Sequence, residues 1–299
     1  MASGAHRDFL DSAVVARLSR LPFHSRLPMV GTMTGMHKSP HRGSSVEFAE
    51  YRKYVPGDDI RHVDWRVYAR TDKFYMKEFE ADTNLRCYLV LDCSGSMQFA
   101  GDGTSKFDLA RRLAATLAYI LVHQGDSVGL MCFADGILRD IPPRHTPGHL
   151  AHIYDAMNQV NPTGKTNLVK TLHDVAERIR RRATVIVLSD FFTEINGLLD
   201  CFKHIQFRNH DLAVFHLLDE SELTFQFDRP IRFSDLESSF NMITDTHAMR
   251  SLYLEELESY LADLRRGCLE FNVDYQRVST GDEYEKTLAD FLLQRLRKS

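Results

Sequence analysis

From residue 85 onward, short apolar runs alternate with stretches of helical periodicity, and this alternation limits the possible fold more than any other feature of the sequence. The runs have the length of buried strands and cover residues 85–91, 128–133, 185–188 and 212–218. Strands that are apolar on both faces are typical of a parallel sheet covered by helices on both sides. The alternation therefore predicts a doubly wound, mainly parallel α/β sheet.

The clearest helix is predicted over residues 107–123, where Ala110, Leu113, Leu117 and Leu121 form one apolar stripe. Further helices are predicted over residues 8–20, 148–159, 168–181, 195–207, 248–268 and 283–298. Additional strands are predicted over residues 73–79 and 273–278, with a short hairpin over residues 225–233 that is broken near Pro230. These elements complete the sheet and its helical cover.

Composition narrows the class of protein. The chain has 299 residues, of which 43% are hydrophobic and 26% charged, as in soluble globular proteins. A net charge of −4 does not suggest a nucleic-acid partner, since nucleic-acid binders usually carry a basic domain or stripe. No apolar stretch approaches the roughly 18 to 20 residues of a membrane span, and the five scattered cysteines contain no CxxC pair. We therefore expect a cytoplasmic protein with reduced cysteines and no membrane span.

Three segments are predicted along the chain. Residues 1–45 are rich in Pro, Gly, Ser, Met and His toward their end and are predicted to be partly loop. Residues 46–84 are dense in paired charges and aromatic side chains and are predicted to pack on the core. Residues 85–299 form the predicted α/β domain.

Oxygen-bearing side chains follow two of the predicted strands. Asp92 comes directly after the first strand and is followed by Ser94 and Ser96, and Asp190 comes soon after the strand at residues 185–188. If these strands are parallel neighbours, both carboxylates lie at the same edge of the sheet, where ligands bind in such folds. Carboxylate and hydroxyl oxygens are ligands of hard divalent cations, so we predict a Mg²⁺ or Mn²⁺ site.

Asp92, Ser94 and Ser96, followed in order by Thr166 and Asp190, resemble the metal-ion-dependent adhesion site of von Willebrand factor type A domains. The resemblance implies that Ser94 and Ser96 bind Mg²⁺ or Mn²⁺ directly, and that Asp92, Thr166 and Asp190 bind directly or through water. It also implies an open coordination position that an acidic residue of a partner fills. Phe191 departs from the pattern, because many such domains have glycine there. A degenerate site whose oxygens only cap helices is the alternative.

Residues 43–71 resemble the signature of domain-of-unknown-function family fifty-eight (DUF58), whose members join such a segment to a type A domain. The resemblance implies a MoxR-type AAA ATPase as partner, an adaptor or co-chaperone role in complex assembly or maturation, and no enzymatic activity. The charged and aromatic residues of this segment form either a buried structural clamp or an exposed docking face. The residues concerned are Glu47, Arg52, Asp59, Arg61, Asp64, Trp65 and Arg70.

The main alternative function is a metal-dependent hydrolase that uses Asp92 and Asp190. Hydrolysis would need an activated metal-bound water and a general base, and the sequence offers no distinctive base. We therefore predict a metal-dependent protein–protein interaction module rather than an enzyme. The expected partners are the AAA ATPase, a client protein that offers an acidic residue to the metal, or both.

Overall fold

The computed structural model describes residues 9–26, 47–54, 63–80, 85–101, 103–227, 231–234, 236–237, 241–244 and 246–298. The chain divides into two compact units, one of Met1–Arg26 with Arg86–Ser299 and one of Leu27–Leu85. The division after residue 85 lies next to the predicted boundary at residues 84–85. Residues up to Arg26 belong to the larger unit.

Helices and strands alternate along most of the part of the chain that the structure describes. The helices are α1 (Ser12–Leu18), α2 (Trp65–Thr71), α3 (Lys106–His123), α4 (Pro147–Gln159), α5 (Leu168–Arg178), α6 (Ile195–Phe207), α7 (Glu220–Thr224), α8 (Thr246–Glu270) and α9 (Tyr284–Lys298), with a 3-10 turn at Gly95–Gln98. The strands are β1 (Glu47–Lys53), β2 (Tyr75–Glu80), β3 (Arg86–Asp92), β4 (Ser127–Phe133), β5 (Ile137–Arg144), β6 (Thr184–Ser189), β7 (Asp211–Leu218), β8 (Ile231–Ser234), β9 (Asn241–Thr244) and β10 (Asp274–Ser279).

The larger unit is built on a six-stranded sheet in the order β10-β7-β6-β3-β4-β5. Its strand pairs are parallel, apart from the antiparallel pairing of β5 with β4 at one edge. This order, which starts in the middle of the sheet and winds outward to both edges, confirms the predicted doubly wound α/β fold. Helices α3, α4 and α9 pack together, as do α5, α6 and α8, and they form the covering layers.

Burial explains why the central strands are apolar at consecutive positions. Every residue of β6 and of β7 is buried, so neither face of these strands reaches solvent. Side chains from β6, α5, α6 and α8 share one hydrophobic cluster that includes Val185, Val187, Leu172 and Phe202. The apolar runs thus reflect helical layers on both faces of the sheet.

Two elements of the larger unit differ from the prediction. Strand β5 was not predicted, because it contains Pro142 and Pro143 and most of its side chains are exposed. Prolines are tolerated on an edge strand such as β5, because one side of an edge strand forms no ladder hydrogen bonds. The predicted hairpin lies further along the chain, as β8 pairs with β9 in an antiparallel arrangement. Phe225 instead ends α7 with a positive φ of 45°. Pro230 lies outside the described residues.

The smaller unit contains an antiparallel pair, β1 with β2, and the short helix α2. Asp64 caps α2, since its carboxylate accepts a hydrogen bond from the Val67 backbone N–H at 3.3 Å. Tyr68 and Phe74 stack with ring centroids 4.4 Å apart. The sequence analysis missed α2, because its seven residues are too few to show a helical period.

A buried ion network ties the ends of the larger unit to the sheet. The side chain of Arg295, in α9, has no exposed surface and donates to Asp211 at 2.7 Å, and it lies 3.0 Å from Asp274. Arg26 pairs with Asp274 at 2.5 Å, and its backbone N–H donates to Asp211 at 3.2 Å. The network joins the starts of β7 and β10 to α9 and to the N-terminal segment.

Two further sequence predictions concern cysteines and membranes. Each of the five cysteines is buried, which agrees with their predicted place in the core. None of the described helices is both long enough and apolar enough to cross a membrane.

Candidate metal centre

Two neighbouring parallel strands, β3 and β6, bring Asp92 and Asp190 to the same edge of the sheet. Asp92 ends β3 with no exposed surface, and Asp190 follows β6 with 2% exposed. The Ser189 hydroxyl donates to Asp92 Oδ2 at 2.6 Å, which ties the two strand ends together. The structure thus places both predicted carboxylates in one buried location.

The turn after Asp92 holds the two predicted serine ligands side by side. The Ser94 backbone N–H donates to Asp92 Oδ1 at 2.9 Å, and the Ser94 and Ser96 hydroxyl oxygens lie 3.0 Å apart. Gly95 begins the 3-10 turn and is buried, and a Cβ there would collide with the carbonyl oxygen of Leu236. Only glycine allows this close approach of two backbone segments.

Thr166 arrives on a third segment, the loop before α5. The Gly95 N–H donates to the Gly164 carbonyl at 2.9 Å, and the Thr163 N–H donates to the Cys93 carbonyl at 2.9 Å, so the loop runs alongside the turn. The Thr166 hydroxyl oxygen is buried and has no hydrogen-bond partner among the described residues. A buried hydroxyl left unpaired costs about 1–3 kcal/mol, and this one lies where the sequence resemblance expects a metal ligand.

Lys106, the first residue of α3, is a member of the site that the sequence analysis missed. Its ammonium lies 2.8 Å from Asp190 Oδ2 and 2.8 Å from Glu222 Oε1, with 1% of the residue exposed. Burial alone would lower the pKa of Lys106, but the two carboxylates outweigh it and raise the pKa, so the side chain is charged. The local sequence does not predict this role, because Ser105 indicates only where the helix begins and the apolar stripe indicates only which face is buried.

Negative charge exceeds positive charge at this edge of the sheet. Burial first, and the charge of Asp190 second, raise the pKa of Asp92 to about 7. Lys106 is the cation that contacts Asp190 and Glu222, and among the described residues no cationic side chain forms an ion pair with Asp92. A divalent cation beside Asp92 would favour its ionised form.

The donor set fits a hard cation. It consists of two carboxylates and three hydroxyls, from Asp92, Asp190, Ser94, Ser96 and Thr166, and oxygen ligands of this kind suit Mg²⁺ and Mn²⁺. In the part of the chain that the structure describes, no group of three or more His, Cys, Asp or Glu side chains could hold a metal ion, so a zinc-type centre is not found there.

Phe191, the departure from the adhesion-site pattern, lies in the core. It has a positive φ of 52° and no exposed surface, and its ring packs against Phe202 and His216 with centroids 6.3 Å and 5.7 Å away. A positive φ is the conformation that glycine adopts most easily, which explains why glycine is common at this position.

The signature residues of the smaller unit fall into four groups. Asp59 and Arg61 lie outside the described residues, and Glu47 and Arg52 are placed in β1 by their backbone only. Asp64 is 6% exposed and caps α2, so its role is structural. Trp65 is 58% exposed and Arg70 is exposed, which keeps both as candidates for a docking face.

Because of the buried His216, we expect the stability of the fold to decrease in acid. It lies in β7 with no exposed surface and a Tyr275 hydroxyl at 2.9 Å, and burial lowers its pKa to about 4. Since an unfolded histidine titrates near 6.5, the unfolded chain binds the proton more tightly. We expect this residue to contribute about 3 kcal/mol of stability above pH 7 that is lost as the pH falls to 4.

Urea unfolding at pH 7 and at pH 4 measures this loss. The variant His216→Gln should show a smaller decrease than the wild type, whereas His145→Gln, at an exposed position, should match the wild type. An equal decrease in His216→Gln and the wild type would contradict the prediction.

Similar sequences are found for most of the chain. The model of the family described as "Protein of unknown function DUF58" matches residues 50–260. The uncharacterized protein Rv1480 of Mycobacterium tuberculosis is 26% identical over 268 residues, which cover 87% of this chain and 84% of that protein. The uncharacterized protein Mb1516 of Mycobacterium bovis matches with the same identity and coverage.

Solved structures with distant similarity are also found. An aerotolerance-related membrane protein from Bacteroides fragilis aligns with 18% identity and a TM-score of 0.48, covering 72% of this chain and all of that one. BatB from Bacteroides thetaiotaomicron aligns over the same shares with 14% identity and a TM-score of 0.47. The SpRpn10 VWA domain aligns with 11% identity and a TM-score of 0.42, covering 70% of this chain and 95% of that one.

Proposed function

This chain belongs to the DUF58 family, a family of unknown function, and we propose that it is a metal-dependent protein–protein interaction module. Asp92, Ser94, Ser96, Thr166 and Asp190 would hold Mg²⁺ or Mn²⁺. The observation that carries the proposal is the buried hydroxyl of Thr166, which lies beside the turn that follows Asp92 and has no hydrogen-bond partner among the described residues. A bound cation would supply an electrophilic centre for a carboxylate of the partner.

The protein partner we propose is a MoxR-type AAA ATPase, a client protein with an accessible acidic residue, or both. The role would be that of an adaptor or co-chaperone in complex assembly or maturation. The choice of partner rests on the resemblance of residues 43–71 to the DUF58 signature, and the match to that family over residues 50–260 agrees with this resemblance. Buried, unpaired cysteines support a cytoplasmic location, since cytoplasmic proteins keep their thiols reduced.

A metal-dependent hydrolase at Asp92 and Asp190 is the alternative function. A carboxyl group with a pKa near 7 can serve as a general base, and Asp92 has such a pKa in the absence of a cation. Hydrolysis of this type needs the cation, however, and a cation beside Asp92 favours the ionised form and lowers the pKa. Phosphoester turnover that Asp190→Ala abolishes would establish the hydrolase and contradict our proposal.

Affinity capture from native lysate tests the proposal. The purified chain is compared in Mg²⁺ and in chelator, beside the variants Asp92→Ala and Asp174→Ala. Asp174 is an exposed residue of α5 and serves as the control. We expect the AAA ATPase or its client to be retained by the wild type and by Asp174→Ala in Mg²⁺ only, and to be lost from Asp92→Ala.

Capture that ignores both chelator and Asp92→Ala would overturn the metal-dependent function. The exposed Trp65 and Arg70 of the smaller unit would then be the candidate docking face.

A further inference from the structure

Strand β10 is an edge strand of the six-stranded sheet, and it pairs with β7 on its inner side. The Thr280 N–H donates to the Leu218 carbonyl at 2.9 Å, which continues the ladder with β7. Because bonding residues alternate along a parallel ladder, Tyr275 and Arg277 direct their backbone N–H and carbonyl groups away from β7. Among the described residues, none forms a hydrogen bond with these outward groups.

The next outward residue of β10 shows how such groups are satisfied within the chain. The Ser279 N–H donates to the Asp282 carboxylate at 2.8 Å, and the Asp282 N–H donates to the Ser279 carbonyl at 3.1 Å. The outward groups of Tyr275 and Arg277 have no such turn beside them. They are therefore available to pair with the backbone of another strand.

A basic groove follows this edge of the sheet between α8 and α9. Leu269 of α8, which is 74% exposed, lies in the groove with Tyr275 of β10 and Gln294 of α9. Of the charged residues described along the groove, five are basic and one, Asp274, is acidic. The basic residues are Arg26, Arg265, Arg266, Arg277 and Lys298.

The positive charge of the basic groove is only partly neutralised by the described part of the chain. Asp274 is 4% exposed and pairs with Arg26 and Lys298. Arg265 and Arg277 are exposed, and neither forms an ion pair with a described carboxylate. Since the whole chain has a net charge of −4, this surface is locally opposite in sign to the protein and should attract acidic groups.

We propose that the basic groove binds an acidic segment of a protein partner, which adds to β10 as a further strand. The backbone of the segment pairs with the outward groups of Tyr275 and Arg277, and its carboxylates pair with the side chains of Arg265 and Arg277. A nucleic acid could satisfy the charges but has no peptide backbone to extend the sheet. The inference goes beyond the proposed function and does not rest on the metal centre.

Protection of the edge does not by itself explain the basic groove. Edge strands are often protected against self-association by charged residues on the strand itself. In β10, Arg277 is the basic residue of the strand, whereas Arg265 and Arg266 come from α8 and Lys298 comes from α9. Charges on both flanking helices therefore suit the recognition of a bound segment.

The probe for the test is a short synthetic peptide in which glutamate alternates with valine and threonine. Fluorescence anisotropy measures its binding to the full chain in chelator, so that the candidate metal centre takes no part. An N-methylated form keeps the carboxylates but has no backbone N–H to donate, and a short single-stranded DNA of equal charge tests attraction to any polyanion.

We expect the peptide to bind the wild type and to bind the double variant Arg265→Ala/Arg277→Ala about tenfold more weakly, because two exposed ion pairs are lost. The matched control Arg139→Ala/Arg297→Ala removes two exposed arginines outside the groove and should bind as the wild type does. The N-methylated peptide and the DNA should bind at least tenfold more weakly than the peptide.

Three results would overturn the inference. They are binding of the N-methylated peptide or the DNA as tightly as the peptide, equal losses in the two double variants, and no binding in chelator. Peptide binding that requires Mg²⁺ and is lost in Asp92→Ala would place the peptide at the candidate metal centre. That result would support the proposed function while overturning the role of the basic groove.

Discussion

Asp92→Asn should lower the affinity of the chain for Mn²⁺ about 100-fold or more, while the metal-free chain remains folded. Asp92 is one of the two predicted carboxylate ligands, and loss of an anionic oxygen weakens the binding of a hard cation strongly. The asparagine side chain has nearly the same shape, so Ser189 and the Ser94 backbone N–H can still pack against it. Electron paramagnetic resonance of free Mn²⁺ measures the change.

The metal-free stability of Asp92→Asn should rise with pH relative to the wild type. In the wild type, Asp92 has a pKa of about 4 in the unfolded chain and about 7 in the folded chain. The buried carboxyl group therefore lowers the free energy of unfolding progressively as the pH rises from about 4 to about 7. The variant has no charge to bury. Urea unfolding at pH 5 and at pH 8 should therefore show the larger advantage of the variant at pH 8.

Lys106→Met should change the affinity for Mn²⁺ in the opposite direction to Asp92→Asn. The ammonium of Lys106 neutralises Asp190, so its removal should strengthen Mn²⁺ binding. The metal-free chain should become less stable, because Asp190 and Glu222 lose a buried counter-charge.

Unchanged Mn²⁺ affinity in Asp92→Asn, or an equal loss of affinity in the exposed control Asp174→Asn, would show that the ion binds elsewhere.

The parts of this site that follow strand ends could be predicted from the sequence. Asp92 and Asp190 each come after an apolar run, and the parallel arrangement of such runs brings their carboxyl ends to one edge. Thr166 could be added only through the family resemblance, because its loop has no periodicity. The hydrogen bond from Gly95 to Gly164 depends on the folded path of both loops.

Lys106 and Glu237 could not be predicted, for different physical reasons. Lys106 stands at the first turn of a helix, where local signals describe the cap and the apolar face but not the direction of a long side chain. Glu237, whose carboxylate accepts a hydrogen bond from the Thr166 backbone N–H at 3.0 Å, lies in a short segment between two four-residue strands, and only tertiary contacts bring it there. Edge strand β5 was missed because its prolines contradict the usual strand composition.

Arg295→Met should lower the free energy of unfolding by about 3–5 kcal/mol, since it removes one partner of a buried ion network and leaves the other charges buried. The side chain of Arg295 has no exposed surface and contacts Asp211 and Asp274 at 2.7 Å and 3.0 Å. Burial alone would raise the pKa of Asp211, but Arg295 outweighs it and holds the pKa below its ordinary value. The carboxylate is therefore charged at neutral pH and needs its partner.

Urea unfolding at pH 7 measures this effect, and Arg297→Met is the matched control on the same helix. Arg297 is exposed, so its replacement should change stability by no more than about 0.5 kcal/mol. A loss below about 1 kcal/mol in Arg295→Met would show that the network contributes little. If the variant does not fold, partial rescue by Arg295→Lys, which keeps the positive charge, would still support the role of the ion pair.

The position of this network separates its effects from those of the metal centre. Asp211 and Asp274 stand at the first residues of β7 and β10, whereas Asp92 stands at the last residue of β3. Because these strands run parallel within one sheet, the network lies at the amino ends of the strands and the candidate metal centre lies at their carboxyl ends. The folded fraction of Arg295→Met should therefore bind Mn²⁺ with the affinity of the wild type, and Asp92→Asn should leave the stabilising contribution of Arg295 unchanged.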